Sequence, residues 1–196
     1  MKQLAIAMIM VQTPSRVLTL EEFLRQPETK PASEYINGQI IQKPMPQGEH
    51  SAIQTDFASA INAILRPKRI ARAFSELRCT FGGRSTVPDI SVFIWERIPR
   101  KENGGVANAF LIPPDWTIEI LSPDQSHTRV TKNILHCLKH GTLMGWLIDP
   151  EEKTIFVYRP GQEPEVFDEP EALLPVPPFA SELKLTVKDL FDWLLV

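Results

Sequence analysis

Residues 87–95 read VPDISVFIW and residues 116–123 read WTIEILSP. Each stretch is an apolar run of strand length that contains one acid, Asp89 in the first and Glu119 in the second. Neither acid has a basic neighbour in its run, and an unpaired carboxylate buried in a strand is costly in free energy. Two such acids on neighbouring strands indicate a shared role, and converging carboxylates typically bind a hard divalent cation.

A purely structural interpretation of the two acids is also open. Asp89 could cap a turn after Pro88, and Glu119 could face water at the edge of a sheet. A single acid in a strand favours that interpretation, whereas for a matched pair the spacing alone does not decide between structure and metal binding.

The composition is that of one globular domain. The chain has 196 residues, of which 43% are apolar and 23% charged, enough for one good core but not for two. The net charge of −3 counts modestly against a protein that coats nucleic acid non-specifically, because such proteins carry a basic excess. An enzyme with a local basic patch is compatible with this balance.

The cysteines and the N-terminus bear on compartment and membrane. Cys79 and Cys137 form no CxxC pair and have no zinc-ligand spacing, so we expect core thiols in a reducing cytoplasm. The apolar run in residues 1–12 is too short to cross a bilayer, and no signal-peptide cleavage site follows it. We therefore expect an extension over residues 1–14, a domain over residues 15–196, and a soluble cytoplasmic protein without a membrane partner.

The first part of the chain is predicted to contain a short helix, a hairpin and a longer helix. A short helix is predicted to end at Pro27. The pair Asn37-Gly38 between two strand-like runs predicts a hairpin. Apolar residues then recur at helical spacing over residues 50–66, which predicts a helix with one face on a core.

The second part of the chain adds most of the predicted strands. Gly82-Gly83 marks a turn, and we expect residues 87–95 to pair with the strand before it as an antiparallel hairpin. A helix is predicted over residues 130–141, followed by two strands and an amphipathic C-terminal helix. This order is typical of an α/β (or α+β) fold in which one mixed central sheet is flanked by helices.

Several motifs in this order resemble one family of nucleases. PDISVF (residues 88–93), PPDWTIEILSPDQS (residues 113–126) and GWLIDP (residues 145–150) resemble the Uma-type restriction endonuclease family of the PD-(D/E)XK nuclease superfamily. The resemblance extends back to SEYINGQII and Glu49-His50, and forward to FVYRPG and TVKDLF. It covers nearly all of the chain beyond the first dozen residues.

The resemblance implies a restriction-endonuclease-like core and a metal-dependent endonuclease that hydrolyses DNA phosphodiester bonds. It makes Asp89 and Glu119 ligands of Mg²⁺ (or Mn²⁺), with the backbone carbonyl of Ile120 beside them. Glu34 matches an acid of the family and is a candidate for a third carboxylate. DNA is then the partner, and a homodimer is expected because cutting both strands of a duplex needs two sites.

The chain departs from the nuclease pattern at the position where the superfamily carries a lysine. The superfamily lysine is expected two residues beyond the second acid, where this chain has Leu121. In the family a basic residue on the following helix takes its place, but that position holds Asn133. The catalytic candidates are therefore Lys132, one residue earlier, and Arg129, one turn earlier. The departure keeps open an inactive DNA-binding or regulatory protein on the same fold, and a hydrolase of another phosphodiester.

For the remaining candidate residues, an ordinary structural role is favoured over a role in the site. His50 resembles a residue that faces the site, but a lone histidine at a helix start usually makes only a local hydrogen bond. Lys43, Arg78 and Arg84 could contact phosphates, although solvated surface positions are the default. Trp95 could stack on a base, but packing is the better interpretation.

Overall fold

The computed structural model describes residues 18–123 and 125–195. In this part of the chain, four α-helices and ten β-strands alternate. The helices are α1 (Leu20–Leu24), α2 (Gly48–Leu65), α3 (His127–Lys139) and α4 (Val187–Asp192). The strands are β1 (Ser33–Ile36), β2 (Gln39–Gln42), β3 (Ala71–Ser75), β4 (Cys79–Phe81), β5 (Arg84–Thr86), β6 (Ile90–Ile94), β7 (Trp116–Ile120), β8 (Met144–Asp149), β9 (Thr154–Tyr158) and β10 (Glu165–Phe167). The expected extension over residues 1–14 lies outside the described residues.

Six strands form the central sheet, in the order β10-β9-β8-β7-β6-β3. Neighbouring strands are antiparallel except β7 and β8, which are parallel because α3 carries the chain from one to the other. Helices α2 and α4 pack on one face of this sheet, and α3 packs on the other. The predicted fold class, a mixed central sheet flanked by helices in a single domain, is confirmed.

The alternation of side chains along β7 decides where its acid points. Trp116, Ile118 and Ile120 are fully buried in the cluster beneath α2 and α4. Thr117 and Glu119 therefore point to the opposite face, where α3 packs. The acid of this strand is thus presented to the first turns of α3 and not to the main core.

Aromatic rings fill the core beneath α2. The ring centroid of Phe57 lies 5.6 Å from that of Trp116 and 5.3 Å from that of Trp146. Trp116 and Trp146 are fully buried. Trp193 is only partly buried and packs on the edge of this cluster, with its ring centroid 5.7 Å from that of Phe57.

The remaining four strands form a second, antiparallel sheet in the order β2-β1-β5-β4. The hairpin predicted at Asn37-Gly38 joins β1 and β2, and its residues have φ values of 52° and 84°. The hairpin predicted across Gly82-Gly83 is wrong in its partners: this turn joins β4 to β5, whereas β6 pairs with β3. The chain leaves the central sheet after β3, at Glu76 with φ of 49°, and returns only at β6.

The structure corrects the predicted start of α3 and confirms the predicted burial of the two cysteines. Helix α3 begins at His127 and not at Val130, because the Ser126 side chain caps it by accepting a hydrogen bond from the backbone N–H of Arg129. Cys79 and Cys137 are buried free thiols, as predicted. Among the described helices, none combines the length and apolar character needed to cross a membrane.

Candidate active site

Asp89 and Glu119 face each other across two neighbouring strands. The pairing of Ile90 with Ile118, extended by one residue, places Asp89 opposite Glu119. Their exposed fractions are only 2% and 4%. The backbone N–H of Ile120 donates a hydrogen bond of 2.8 Å to Asp89 Oδ2, which fixes the carboxylate against β7. The structure therefore brings together the two acids that the sequence singled out.

Glu34 brings a third carboxylate from β1 in the second sheet. Its side chain is buried and accepts a hydrogen bond of 2.8 Å from the backbone N–H of Val87 through Oε1. Its other oxygen, Oε2, accepts a hydrogen bond of 3.1 Å from Asn133 Nδ2 on α3. Glu34 thus lies between the strand connection that carries Asp89 and the helix that follows Glu119.

Lys43 supplies the cation that both sequence runs lack. Its Nζ donates hydrogen bonds of 2.7 Å to Asp89 Oδ1 and 2.7 Å to the carbonyl oxygen of Val87, and lies 3.5 Å from Glu119 Oε2. The default interpretation of Lys43 as a solvated surface residue is wrong, since its side chain is only 14% exposed. Sequence reasoning missed this contact because the chain separates Lys43 and Asp89 by 46 positions.

The start of α2 closes the site from another side. His50 Nε2 lies 3.2 Å from Asp89 Oδ2, and Gln54 Nε2 donates a hydrogen bond of 2.9 Å to the carbonyl oxygen of Asp89. His50 is 5% exposed, and its Nδ1 has no hydrogen-bond partner among the described residues. The favoured interpretation of His50 as a residue with only a local hydrogen bond is therefore wrong, and the structure places its ring against Asp89.

The environment of the cluster shifts the pKa values of its acids in opposite directions. Burial raises the pKa of Asp89, but the Lys43 ammonium and the hydrogen bond from His50 outweigh it and hold that pKa below its usual range. Burial raises the pKa of Glu119 well above its usual value, and burial raises that of Glu34 as well. Burial acts to lower the pKa of Lys43, but the surrounding carboxylates outweigh this effect, and the pKa is raised overall. Asp89 and Lys43 are therefore charged, whereas Glu119 retains a proton more readily than a free glutamate.

The helix α3 presents Asn133, not Lys132, to the acids. Asn133 is 7% exposed and bonded to Glu34, whereas Lys132 is exposed, because one residue turns a helix by about 100°. In this geometry Lys132 does not line the cavities that contain the acids. Arg129 is exposed and lines a small cavity together with Glu34, Lys43 and Glu119. Of the two predicted basic candidates, only Arg129 borders the acids.

The other basic and aromatic candidates have structural partners. Arg78 forms an ion pair of 2.6 Å with Glu28, and its guanidinium lies 5.1 Å from the ring centroid of Phe23. Arg84 donates a hydrogen bond of 3.1 Å to Asn37 Oδ1 in the hairpin turn. Trp95 packs against the cluster that contains Phe93, which agrees with the packing interpretation.

An open cavity of about 500 Å³ leads to the cluster. Lys43, His50 and Asp89 line it, and Lys30 and Arg78 are among its other walls. A second cavity of about 380 Å³ lies on the other side of His50, beside the starts of α2 and α3. The acids are therefore buried as individual side chains, yet the cluster is reached from outside.

The donor set suits a hard divalent cation in its chemistry. Glu34, Asp89 and Glu119 offer carboxylate oxygens, and the Lys43 ammonium contacts Asp89 and Glu119, so ionising all three acids would leave more negative than positive charge. Within residues 18–123 and 125–195, no three His, Cys, Asp or Glu side chains are arranged to hold an ion as they stand. The carboxylates are instead spaced around the ammonium, which stands in for a shared cation.

A mixed sheet flanked by helices, with paired acids on adjacent strands, defines a restriction-endonuclease-like protein. Residues 20–188 match the Uma2 family, described as "Putative restriction endonuclease", and the chain belongs to this family. The structure is similar to the crystal structure of a putative nuclease belonging to DUF820 from Anabaena variabilis ATCC 29413. The two share 76% identity over 91% of this chain and 99% of the other, with a TM-score of 0.90. Among curated proteins, none matches the chain.

Proposed function

We propose that the chain is a metal-dependent endonuclease that hydrolyses DNA phosphodiester bonds at the Asp89–Glu119 cluster. One observation carries the proposal: the carboxylates of Glu34, Asp89 and Glu119 are buried together beside a single ammonium. Ionising all three buried acids is costly unless a further cation binds, which is why burial raises the pKa of Glu119 and Glu34 in the metal-free chain. Membership of the Uma2 family and the similarity to a putative nuclease support the class of activity.

Asp89 and Glu119 would hold the cation, with Glu34 and the backbone carbonyl of Ile120 as further oxygen donors. Mg²⁺ or Mn²⁺ suits these ligands, because both prefer oxygen over nitrogen and sulfur. Such an ion supplies positive charge that polarises a phosphodiester. Asp89 is prepared for this role, since the hydrogen bonds from Lys43 and Ile120 keep its carboxylate ionised and oriented.

The proposed reaction adds water to the phosphorus of the DNA backbone. A new P–O bond forms to the water oxygen, and the P–O bond to one sugar oxygen breaks. One proton of the water ends on the sugar oxygen that leaves, so the products are a phosphate monoester and a hydroxyl. Arg129 borders the acids from the solvent side, where its guanidinium is suited to contact a backbone phosphate.

The same proposal includes a homodimer, because one cluster per chain cuts one strand and a duplex has two. The chain would then pair two identical sites. Sedimentation of the purified protein with a duplex measures whether two copies bind together.

The experiment is a cleavage assay on plasmid and linear duplex DNA with Mg²⁺, with Mn²⁺ and with a chelator. We expect cleavage with either ion, none with the chelator, and none with Asp89→Asn or Glu119→Gln. Lys139→Ala is a matched control, because Lys139 is exposed on the last turn of α3. Cleavage that persists in the chelator, or in both acid variants, contradicts the proposal.

A non-catalytic DNA-binding protein is the second candidate, and one observation favours it. The two positions at which the family pattern expects a basic residue carry Leu121 and Asn133. This candidate predicts that the purified chain retards duplex DNA in a gel but cleaves none with either ion.

A further inference from the structure

We propose that Lys43, which follows β2 of the second sheet, is the catalytic lysine of this site and replaces the basic residue that the family pattern expects at position 121 or 133. This inference rests on the proposed nuclease function and assigns a residue to it. The observation behind it is the contact of Lys43 Nζ with Asp89 and its approach to Glu119, at 2.7 Å and 3.5 Å.

Neither position at which the family pattern expects a basic residue supplies one here. Leu121 lies at the end of β7 and packs beside Val130 and Ile134 of α3. Asn133 faces Glu34, and its shorter amide is held there by a hydrogen bond of 3.1 Å. The ammonium beside the carboxylates comes instead from Lys43, the residue immediately after β2.

The backbone places Lys43 at this point. Gln42 pairs with Ser33 in the β1–β2 ladder, and the backbone N–H of Lys43 continues the ladder with a hydrogen bond of 2.9 Å to the carbonyl oxygen of Ala32. Pro44 follows and restricts the backbone of the residue before it. The base of the side chain is thus fixed, and the stem reaches across to the central sheet.

The ammonium also remains within reach of a substrate. Lys43 lines both the open cavity of about 500 Å³ and the small cavity that contains Arg129 and Glu119. An ammonium has three donors, of which two bond to Val87 and Asp89. In catalysis Lys43 keeps its proton and charge. Its remaining donor hydrogen-bonds to a non-bridging phosphoryl oxygen, whose negative charge grows in the transition state.

A structural ion pair would look similar, so the test needs a readout besides cleavage. The carboxylate oxygens that face Lys43 are those proposed to bind the divalent ion. Removing the ammonium therefore removes a competing cation. Lys43→Met should bind Mg²⁺ or Mn²⁺ at least as tightly as the wild-type chain in calorimetry, while kcat falls by about 100-fold or more.

The variants are Lys43→Met, Lys43→Arg and the control Lys132→Met, each checked for folding by circular dichroism and thermal unfolding. Lys43→Arg keeps the charge and protects the fold if the methionine variant is unstable, but its planar donors differ, so kcat should fall with KM little changed. Lys132→Met should match the wild-type chain in cleavage and metal affinity.

The outcomes are distinguishable. Folded Lys43 variants that cleave at the wild-type rate, or loss of kcat in Lys132→Met alone, overturn this assignment and leave the nuclease proposal intact. Loss of metal binding in a folded Lys43→Met chain also overturns it, because Lys43 would then support the ligands and not the reaction. A wild-type chain that cleaves nothing with either ion overturns the nuclease function and this assignment together.

Discussion

Asn133 on α3 and Glu34 on β1 are joined by a hydrogen bond of 3.1 Å between Asn133 Nδ2 and Glu34 Oε2. The contact spans 99 positions of the chain and links the helix on one side of the acids to the second sheet on the other. It also shows that position 133 faces the acids. A basic side chain at this position would therefore point into the same cluster as Lys43.

Moving the lysine to α3 should restore cleavage. We expect the double variant Lys43→Met/Asn133→Lys to recover at least a tenth of the wild-type kcat, because the new ammonium starts beside Glu34 and reaches the same carboxylates. Steady-state cleavage of duplex DNA measures this. The matched control is Lys43→Met/Leu135→Lys, whose lysine lies on the exposed side of α3. Equal recovery in the control, or none in a folded and metal-binding double variant, contradicts the prediction.

Metal binding should tighten as the pH rises. Burial raises the pKa of Glu119, so its protonated form persists to higher pH in the folded, metal-free chain than in a free glutamate. The stability that this proton contributes is complete at low pH and is lost as the pH rises through the raised pKa. A divalent ion requires the ionised carboxylate, so binding releases this proton and grows stronger over the same range.

Calorimetry in buffers of different ionisation enthalpy counts the protons released on binding. We expect proton release from the wild-type chain and less release from Glu119→Gln. Proton release that is identical in both chains would show that Glu119 is already ionised or lies outside the metal site.

Asp89 and Lys43 should be strongly coupled in stability. Asp89→Ala leaves the ammonium in a buried site with Glu119 as its remaining close acid. We expect a loss of about 3 kcal/mol in the free energy of unfolding, typical of removing one partner of a buried pair. The double variant Asp89→Ala/Lys43→Met should lose less than the sum of the single variants, because it leaves no unpaired charge. Urea unfolding of the four chains measures the coupling, and simple additivity would count against a buried pair.

Gly145 on β8 should be intolerant of a side chain. A Cβ at this position would lie 2.3 Å from Ile134 Cγ2 and 3.3 Å from Thr117 Cγ2, so α3 could not approach the sheet as closely. We expect Gly145→Ala to cost about 1–3 kcal/mol, the usual range for overpacking. Adding Ile134→Leu, which lacks the Cγ2 methyl group, should recover part of the loss. Thermal unfolding that is unchanged in Gly145→Ala contradicts the close contact.

His136 should make stability fall in mild acid. Its Nε2 lies 3.2 Å from the carbonyl oxygen of Phe81 and must donate, so the neutral ring carries its proton there. Burial lowers the pKa of His136 to about 4, from a usual value near 6.5. The stability that the neutral ring contributes is therefore complete above about pH 6.5 and is lost as the pH falls towards 4.

Denaturant unfolding at pH 7.5 and pH 5 tests this effect. His136→Gln should lose less stability between the two values than the wild-type chain, because glutamine does not titrate. The nearby charges of Arg84, His140 and Lys139 also lower the pKa of His136, and these three residues are the same in both chains. An equal loss in both chains would assign the acid sensitivity to other groups.

The sequence alone determined the fold class and the first half of the site. Apolar runs of strand length predict Asp89 and Glu119 on neighbouring strands, and the structure places Glu119 on β7 and Asp89 immediately before its neighbour β6. Helix α2 and the Asn37-Gly38 hairpin follow from equally local signals. The pairing of β6 with β3 could not be predicted from local signals. The chain passes through β4 and β5 between these two strands, and no sequence pattern indicates beside which strand it returns.

Only the tertiary structure decided which cation belongs to the acids. The ammonium of Lys43 comes from β2, and nothing near Lys43 in sequence distinguishes it from an exposed lysine after a hairpin. Its place depends on how the second sheet packs against the first. In the same way, the choice between Lys132 and Asn133 required the rotation of α3, since one position turns a side chain by about 100°. The physical reason is burial, because an ionised carboxylate with so little exposure is costly without a nearby positive charge, and here that charge comes from a residue distant in sequence.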